Sequence, residues 1–194
     1  YHRVFNVDWQ HGGRWYGVFW QGLSGQDRGH LLIDGQSVLE IDYPHLHPTL
    51  LAAGFGVDLG AEDPYFIEGF PRRDVKLAFN ALLNASGMKA AVLGVQSELQ
   101  KAGRVSPRAS ALELVKAVKQ RHPAFAYAWA TGVGLRLQCI DGQICAEVQE
   151  TMRNAGHPVL SVHDSFIVEA FQKDRLQWAM DDTLARFKHR LAQG

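Results

Sequence analysis

The chain has 194 residues, equal numbers of basic and acidic side chains, 46% hydrophobic residues and 21% charged residues. This composition fits a globular domain with a real core, and it excludes a strongly basic or acidic chain. No run approaches about 18 consecutive apolar residues, so no transmembrane helix is expected, and no signal peptide is visible. The two cysteines, Cys139 and Cys145, lack disulfide-framework spacing, so we expect a reducing, cytoplasmic compartment.

The charges are unevenly distributed along the chain. The segment Val38–Phe70 contains six acidic residues and no Lys or Arg, whereas Pro71–Arg121 contains ten basic residues and three acidic ones. Such an arrangement suits a protein that binds metal ions in one place and phosphates in another. Two ordinary solvated surfaces would produce the same pattern, so charge alone leaves both interpretations open.

The first predicted element is a β-hairpin over Arg28–Tyr43. Asp34–Gly35 is a two-residue turn of the primed type between two apolar strands. Asp42 therefore lies at the end of the second strand. Pro48 is predicted to lie in the first turn of a short helix that stops at Gly54.

Two helices are predicted in the middle of the chain. Asp74–Asn84 has one apolar face, and Ser106–Pro107 has the residue types of a helix N-cap followed by a proline in the first turn. The second helix should end before Pro123. Its expected apolar residues are Leu112, Val115 and Val118.

The C-terminal third predicts a helix, a hairpin and a final helix. Apolar residues recur every three or four positions over Leu137–Met152, and Gly156 is a suitable stop. Two short apolar runs, Val159–Val162 and Phe166–Ala170, enclose a tip that contains His163 and Asp164. The apolar residues of the last helix are Leu176, Met180, Leu184, Phe187 and Leu191. The order of elements predicts an α+β fold, with a small antiparallel sheet and helices packed on one face.

Asp42 and Asp164 each lie where a strand reaches a turn. If the two strands are neighbours in one sheet, the carboxylates converge although they are far apart in sequence. Phosphoryl transfer by a two-metal site requires such a pair of carboxylates. The simpler alternative is that Asp42 is a turn or helix-capping residue.

Five segments resemble motifs of nucleic acid polymerases. Val162–Phe166 is similar to motif C of phage-type single-subunit RNA polymerases and to the His-Asp-Glu hairpin of family A DNA polymerases. Asp42–Leu50 resembles motif A of family A and, more closely, of family B. Arg72–Lys76 resembles the start of the family A fingers helix, and Lys76–Leu83 resembles the family B helix. Asp8–Tyr16 resembles an element of phage RNA polymerases.

The resemblance implies a polymerase palm formed by residues 1–70 and 131–194, with a reduced helical fingers-like insertion at residues 71–130. It implies that Asp42 and Asp164 are catalytic and bind two Mg²⁺ ions, with Mn²⁺ as a substitute. The backbone carbonyl of Tyr43 would be a further metal ligand.

Substrate contacts are also implied by the resemblance. Those to the incoming nucleoside triphosphate would come from Arg72, Lys76, Asn80, Tyr43 and His47. Those to primer–template nucleic acid would come from Arg14, Arg73, Gln138 and His163. His47 is at the position that faces the sugar 2′ carbon, and its bulk favours deoxynucleotides. The predicted function is therefore template-directed nucleotidyl transfer to a primer 3′ end, in replication of DNA such as that of a mobile element.

Departures from the family pattern keep two other functions open. Asn84 and Ala85 replace a Tyr-Gly pair that stacks on the base pair, and Ser165 replaces an extra carboxylate. No thumb precedes Asp42, so a partner chain or a missing domain would have to supply one. A non-catalytic nucleic-acid-binding module derived from a palm, or a metal-dependent nuclease, would fit these departures.

Two further groups of residues have simpler interpretations. His45, His47 and His163 lack Cys or carboxylate partners at zinc-ligand spacing, which favours structural or cleft histidines. The bases Lys116, Lys119 and Arg121 fit phosphate contacts or a solvated helix face equally well.

Overall fold

A computed structural model describes residues 1–103 and 108–193. The described residues form an α+β fold, which confirms the predicted fold class. The strands are β1 (His2–Phe5), β2 (Gly12–Tyr16), β3 (Leu32–Ile33), β4 (Gln36–Asp42), β5 (Leu160–Val162) and β6 (Ser165–Glu169). The helices are α1 (Gly25–Arg28), α2 (Leu46–Phe55), α3 (Arg72–Asn84), α4 (Met88–Lys101), α5 (Arg108–Arg121), α6 (Gly134–Asn154) and α7 (Lys173–Gln193).

The chain divides into two compact units. The first unit is formed by Tyr1–Leu50 and Leu137–Gly194, and the second by Leu51–Arg136. All six strands belong to the first unit. The sequence analysis places the corresponding boundaries at residues 70 and 131.

The first unit is built on a four-stranded antiparallel sheet with the order β3-β4-β6-β5, and a separate ribbon of β1 and β2. The β3–β4 hairpin is confirmed, with its turn at Asp34 and Gly35, where φ is 50° and 78°. Positive φ at both turn residues matches the right-handed twist of the flanking strands. The predicted hairpin of β5 and β6 is also confirmed, with its tip at His163 and Asp164.

Strand β6 is the centre of the first unit's core, because all five of its residues are buried. Helix α7 contacts β6 and buries Leu176, Met180 and Phe187. Helix α6 is tied to β5 by the Gln149 side chain, whose Nε2 donates to Ser161 Oγ at 2.6 Å. The hairpin of β5 and β6 is thus anchored by a fully buried strand and by contacts to both α6 and α7.

The second unit packs helices α3, α4 and α5 against one another. Its centre is Phe79, fully buried, with edge-on contacts to Tyr65, His122, Phe125 and Trp129 at ring-centroid distances of 5.2 to 6.3 Å. Edge-to-face geometry is the arrangement that aromatic rings prefer, and it contributes beyond the area buried. This unit is therefore stabilised mainly by apolar and aromatic packing.

Several local predictions differ from the structure. Pro48 lies in the first turn of α2 as predicted, but this helix ends at Phe55, one residue beyond Gly54, and α3 begins at Arg72 rather than Asp74. Val115 and Val118 are buried as predicted, but Leu112 is 41% exposed, and Ala111 and Leu114 complete the buried face of α5. The N-cap predicted at Ser106–Pro107 lies outside the described residues. Helix α4 and the β1–β2 ribbon are elements that the sequence patterns did not predict.

Among the described residues, no helix combines the length and the apolar character that crossing a membrane requires.

Candidate active site

The end of β4 meets the tip of the β5–β6 hairpin. Strands β4 and β6 are antiparallel neighbours, with Asp42 paired to Ser165. One residue further, the Tyr43 N–H donates to the Asp164 carbonyl oxygen at 3.2 Å. Asp42 is exposed and Asp164 is half-buried. The condition stated from the sequence, that the strands carrying the two aspartates are neighbours, is therefore met.

The hairpin tip adopts an unusual backbone conformation at His163, where φ is 58°. The left-handed region costs a non-glycine residue roughly 1–2 kcal/mol, and such residues cluster at functional sites. Burial, followed by the positive charge of Arg14, lowers the pKa of His163, although Asp141 and Asp164 oppose the shift. The His163 ring lies edge-on to Tyr16, with the ring centroids 5.2 Å apart.

Ser165 is buried and holds the hairpin against β4. Its hydroxyl donates to Glu40 Oε1 at 2.6 Å, and Glu40 also accepts two hydrogen bonds from Arg28, at 2.8 and 2.9 Å. Burial raises the pKa of Glu40, but the bonds from Arg28 and Ser165 outweigh it, so the pKa is below its usual value. Glu40 is thus an ionised carboxylate on the same face of β4 as Asp42.

A second polar cluster lies in the same unit and is centred on Asp141, whose side chain is 1% exposed. Arg14 approaches one carboxylate oxygen, Oδ2, with Nε at 2.6 Å and Nη2 at 2.5 Å. His47 Nε2 lies 3.7 Å from the same oxygen. Asp141 Oδ1, His47 Nε2 and His163 Nδ1 are buried and make no hydrogen bond. We name these four residues, Arg14, His47, Asp141 and His163, the Asp141 cluster.

Glycines bring β2 close enough to α6 for Arg14 to reach Asp141. A Cβ atom at Gly142 would lie 2.3 Å from the carbonyl oxygen of Gly13, so only glycine allows this approach. The Trp15 indole N–H donates to the Gly142 carbonyl oxygen at 2.9 Å and closes the contact. Gly13 itself has a φ of 85°, a conformation that favours glycine.

The structure brings seven of the predicted site residues into the first unit. They are Arg14, Asp42, Tyr43, His47, Gln138, His163 and Asp164. Tyr43 is buried, and its hydroxyl donates to the Met180 carbonyl oxygen at 2.7 Å. Gln138 is half-buried on α6, three residues before Asp141, and so lies near the same helix face. A cleft of about 300 Å³ opens beside Asp42 and is lined by the start of α2 and by α7.

The remaining predicted residues, Arg72, Arg73, Lys76 and Asn80, lie on α3 in the second unit. Tyr65 organises two of the cations, with Arg72 Cζ at 5.2 Å and Lys76 Nζ at 5.8 Å from its ring centroid. Arg72 also forms an ion pair with Asp63. The side chains one turn apart at Arg72 and Lys76 therefore present a basic face.

The C-terminal end of α3 packs against residues 132–134. Asn84 Nδ2 donates to the Asn80 carbonyl oxygen at 2.8 Å, and a Cβ at Gly134 would lie 2.3 Å from Asn84 Oδ1. The Gly132 N–H donates to the Ala85 carbonyl oxygen at 2.9 Å. Positions 84 and 85 thus pack against residues 132–134 of their own unit, and no aromatic ring occupies them.

Sequence reasoning missed Asp141 and Glu40. Asp141 lies four residues after Leu137 and three before Ile144, on the buried stripe of α6. A carboxylate on a buried helix face is rarely found without a partner or a function. Glu40 lies two residues before Asp42, and the period of two in a strand places both on one face.

Magnesium fits the oxygen donors at this edge of the sheet. Mg²⁺ is commonly bound by one or two carboxylates together with water and substrate phosphates, and Asp42 and Asp164 provide two accessible carboxylates at adjoining strand ends. No cluster of three or more His, Cys, Asp or Glu residues that could hold a metal ion occurs within residues 1–103 and 108–193.

Comparison of this chain with family models, curated proteins and solved structures finds no match in any of the three.

Proposed function

We propose that this protein is a template-directed nucleotidyltransferase that adds deoxynucleotides to a primer 3′ end. The observation that carries the proposal is the pairing of β4 with β6, which joins the strand end bearing Asp42 to the hairpin tip bearing Asp164. The two-residue tip with a left-handed His163 supports it, because strained backbone of this kind is common at active sites.

In the proposed reaction the primer 3′ oxygen forms a bond to the α-phosphorus of a deoxynucleoside triphosphate. The bond from that phosphorus to the bridging oxygen breaks, pyrophosphate leaves, and the hydroxyl proton passes to solvent. Asp42 and Asp164 would hold Mg²⁺, with the Tyr43 carbonyl as a further ligand. When bound, the metal supplies neutralisation of the negative charge that develops on the phosphate oxygens.

The other residues would bind and orient the two substrates. Lys76 and Arg72 would contact the triphosphate, Lys76 as a compact charge and Arg72 as a planar fork. His47 would face the sugar. The primer–template contacts would come from Arg14, Arg73, Gln138 and His163. A partner chain or a further domain would supply the thumb function.

A non-catalytic nucleic-acid-binding module is the second candidate. Asn84 and Ala85 favour it, because they pack against residues 132–134 and provide no aromatic ring to stack on a base pair. This candidate predicts salt-dependent binding to primer–template and no nucleotide incorporation.

The test is primer extension with Mg²⁺ or Mn²⁺, comparing the wild type with Asp42→Asn and Asp164→Asn. Each substitution should reduce incorporation about a thousandfold or more, because several kcal/mol of transition-state stabilisation are removed. Asp34→Asn is the matched control. It makes the same chemical change in the turn at the other end of β4, where asparagine accepts the positive φ, and it should remain active.

Three results would contradict the proposal. A fully active double variant, Asp42→Asn with Asp164→Asn, would exclude a shared catalytic site. Binding without any incorporation by the wild type would favour the non-catalytic module. A ladder of shortened primer in the absence of nucleotides would favour a metal-dependent nuclease.

A further inference from the structure

Three polar atoms of the Asp141 cluster are buried and have no hydrogen-bond partner within the protein. Asp141 is among the most buried charged side chains of the first unit, yet both donors from Arg14 reach the same oxygen, Oδ2. Its Oδ1 has no hydrogen-bond partner. Leaving a buried acceptor without a donor costs about 1–3 kcal/mol, and more for a charged group. Arg14 thus offsets the burial of Oδ2 but not that of Oδ1.

His47 carries a second buried atom without a hydrogen-bond partner, and this atom lies near the Asp141 carboxylate. Its Nε2 is buried without a hydrogen bond and lies 3.7 Å from Asp141 Oδ2, just beyond hydrogen-bonding distance. A small rotation of the imidazole would bring a donor to the carboxylate. Hydrogen bonds within active sites are often long in the unliganded protein and shorten in the substrate complex.

We propose that Asp141 is a positioning residue for sugar selection, which holds the His47 imidazole as a wall against the sugar 2′ position when a nucleotide binds. This inference rests on the proposed function. Arg14 holds the same carboxylate from the other side, because its guanidinium binds Asp141 Oδ2 from strand β2. One carboxylate would thereby link the residue that faces the sugar to a residue that faces the primer–template.

Asp141 acts through His47 in this proposal, so the two residues should be coupled. A side chain held by a hydrogen bond excludes a 2′-hydroxyl more effectively than one free to rotate. Removing the acceptor charge should therefore raise incorporation of ribonucleotides more than it lowers incorporation of deoxynucleotides. If Asp141 served folding alone, removing its charge would lower incorporation of ribonucleotides and of deoxynucleotides equally.

The experiment measures kcat/KM for a deoxynucleoside triphosphate and for the matching ribonucleoside triphosphate in primer extension. Asp141→Asn, which preserves the shape of the side chain, should reduce the ratio of the two constants about tenfold, within the range that pocket contacts provide. Glu150→Gln removes a carboxylate from the exposed face of the same helix and should leave the ratio unchanged. In a His47→Ala background, Asp141→Asn should have no further effect on the ratio.

The possible outcomes separate the two claims. If the wild type incorporates nucleotides and Asp141→Asn keeps the wild-type ratio, the inference is overturned while the proposed function stands. The same conclusion follows if Asp141→Asn changes the ratio equally with and without His47. A wild type that incorporates no nucleotide overturns the proposed function and this inference with it. Circular dichroism melting of each variant verifies that the comparison is between folded proteins.

Discussion

The two units of the chain use their polar residues in opposite ways. The first unit buries several polar or charged side chains, namely Asp141, Ser161, Ser165, Glu169, Gln172 and Thr183. In the second unit the buried side chains of this kind, among the described residues, are Asp74 and His122, and the core is aromatic. Buried polar groups add little to stability and are often retained for function. The buried polar side chains are thus concentrated in the first unit, whereas the second unit is held together mainly by apolar and aromatic packing.

The largest expected effect on stability comes from the aromatic core of the second unit. Phe79→Ala should lower the free energy of unfolding by about 3–5 kcal/mol, because a fully buried ring leaves a cavity and loses four aromatic contacts. Urea denaturation measures the change. A loss below about 1 kcal/mol would mean that apolar packing does not hold this unit together.

A pair of helical glycines compares the two units directly. Gly142→Ala in α6 should destabilise the protein by about 1–3 kcal/mol, because the new Cβ would meet backbone of β2. Gly94→Ala in α4 is the matched change, since a Cβ there meets nothing within 4 Å. It should stabilise the protein by up to about 1 kcal/mol, through helix propensity.

The same glycine pair also tests the Asp141 cluster. Gly142→Ala should impair primer extension, because it displaces Arg14 from Asp141, whereas Gly94→Ala should not. Equal unfolding free energies for the two variants, measured by urea denaturation, would contradict the close approach of β2 and α6.

The smallest expected effect is a pH dependence in the second unit. Burial lowers the pKa of His122, with a smaller contribution from Arg121 and opposition from the hydrogen bond to the Pro64 carbonyl oxygen. Above the unfolded pKa of about 6.5 both states are neutral and stability is complete. As the pH falls below that value the unfolded state takes up a proton first, so stability declines towards the lower folded pKa.

His122→Gln isolates this contribution. When the pH is lowered from 7.5 to 5.5, the free energy of unfolding should fall more for the wild type than for the variant. Chemical denaturation at each pH provides the measurement. A difference that stays constant over this range would mean that the His122 pKa is the same in both states.

Much of the first unit could be predicted from sequence because its signals are local. The Asp34–Gly35 turn fixes the register of β3 and β4, and that register places Asp42 at a strand end. Apolar residues that recur every three or four positions predicted helices α6 and α7. The positions of Asp42 and Asp164 at strand ends could be predicted because turn residues follow an apolar strand at both places.

The missed features depend on long-range packing. Helix α4 contains an uninterrupted apolar run from Ala90 to Leu93, and such a run does not distinguish helix from strand. The β1–β2 ribbon relies on Gly12 and Gly13 approaching other residues closely, which no local pattern indicates. The burial of Asp141 likewise results from the packing of α6 against β2, which the apolar period of the helix does not reveal.

The most direct test of the proposed metal site is a crystal structure with Mn²⁺ and a non-hydrolysable deoxynucleoside triphosphate. Anomalous scattering locates the manganese in such a crystal. We predict that Mn²⁺ ions bind between the Asp42 and Asp164 carboxylates. The two carboxylates should lie about 3–6 Å apart and the two ions about 3.5–4 Å apart. Carboxylates more than about 10 Å apart, with manganese bound to neither, would contradict it.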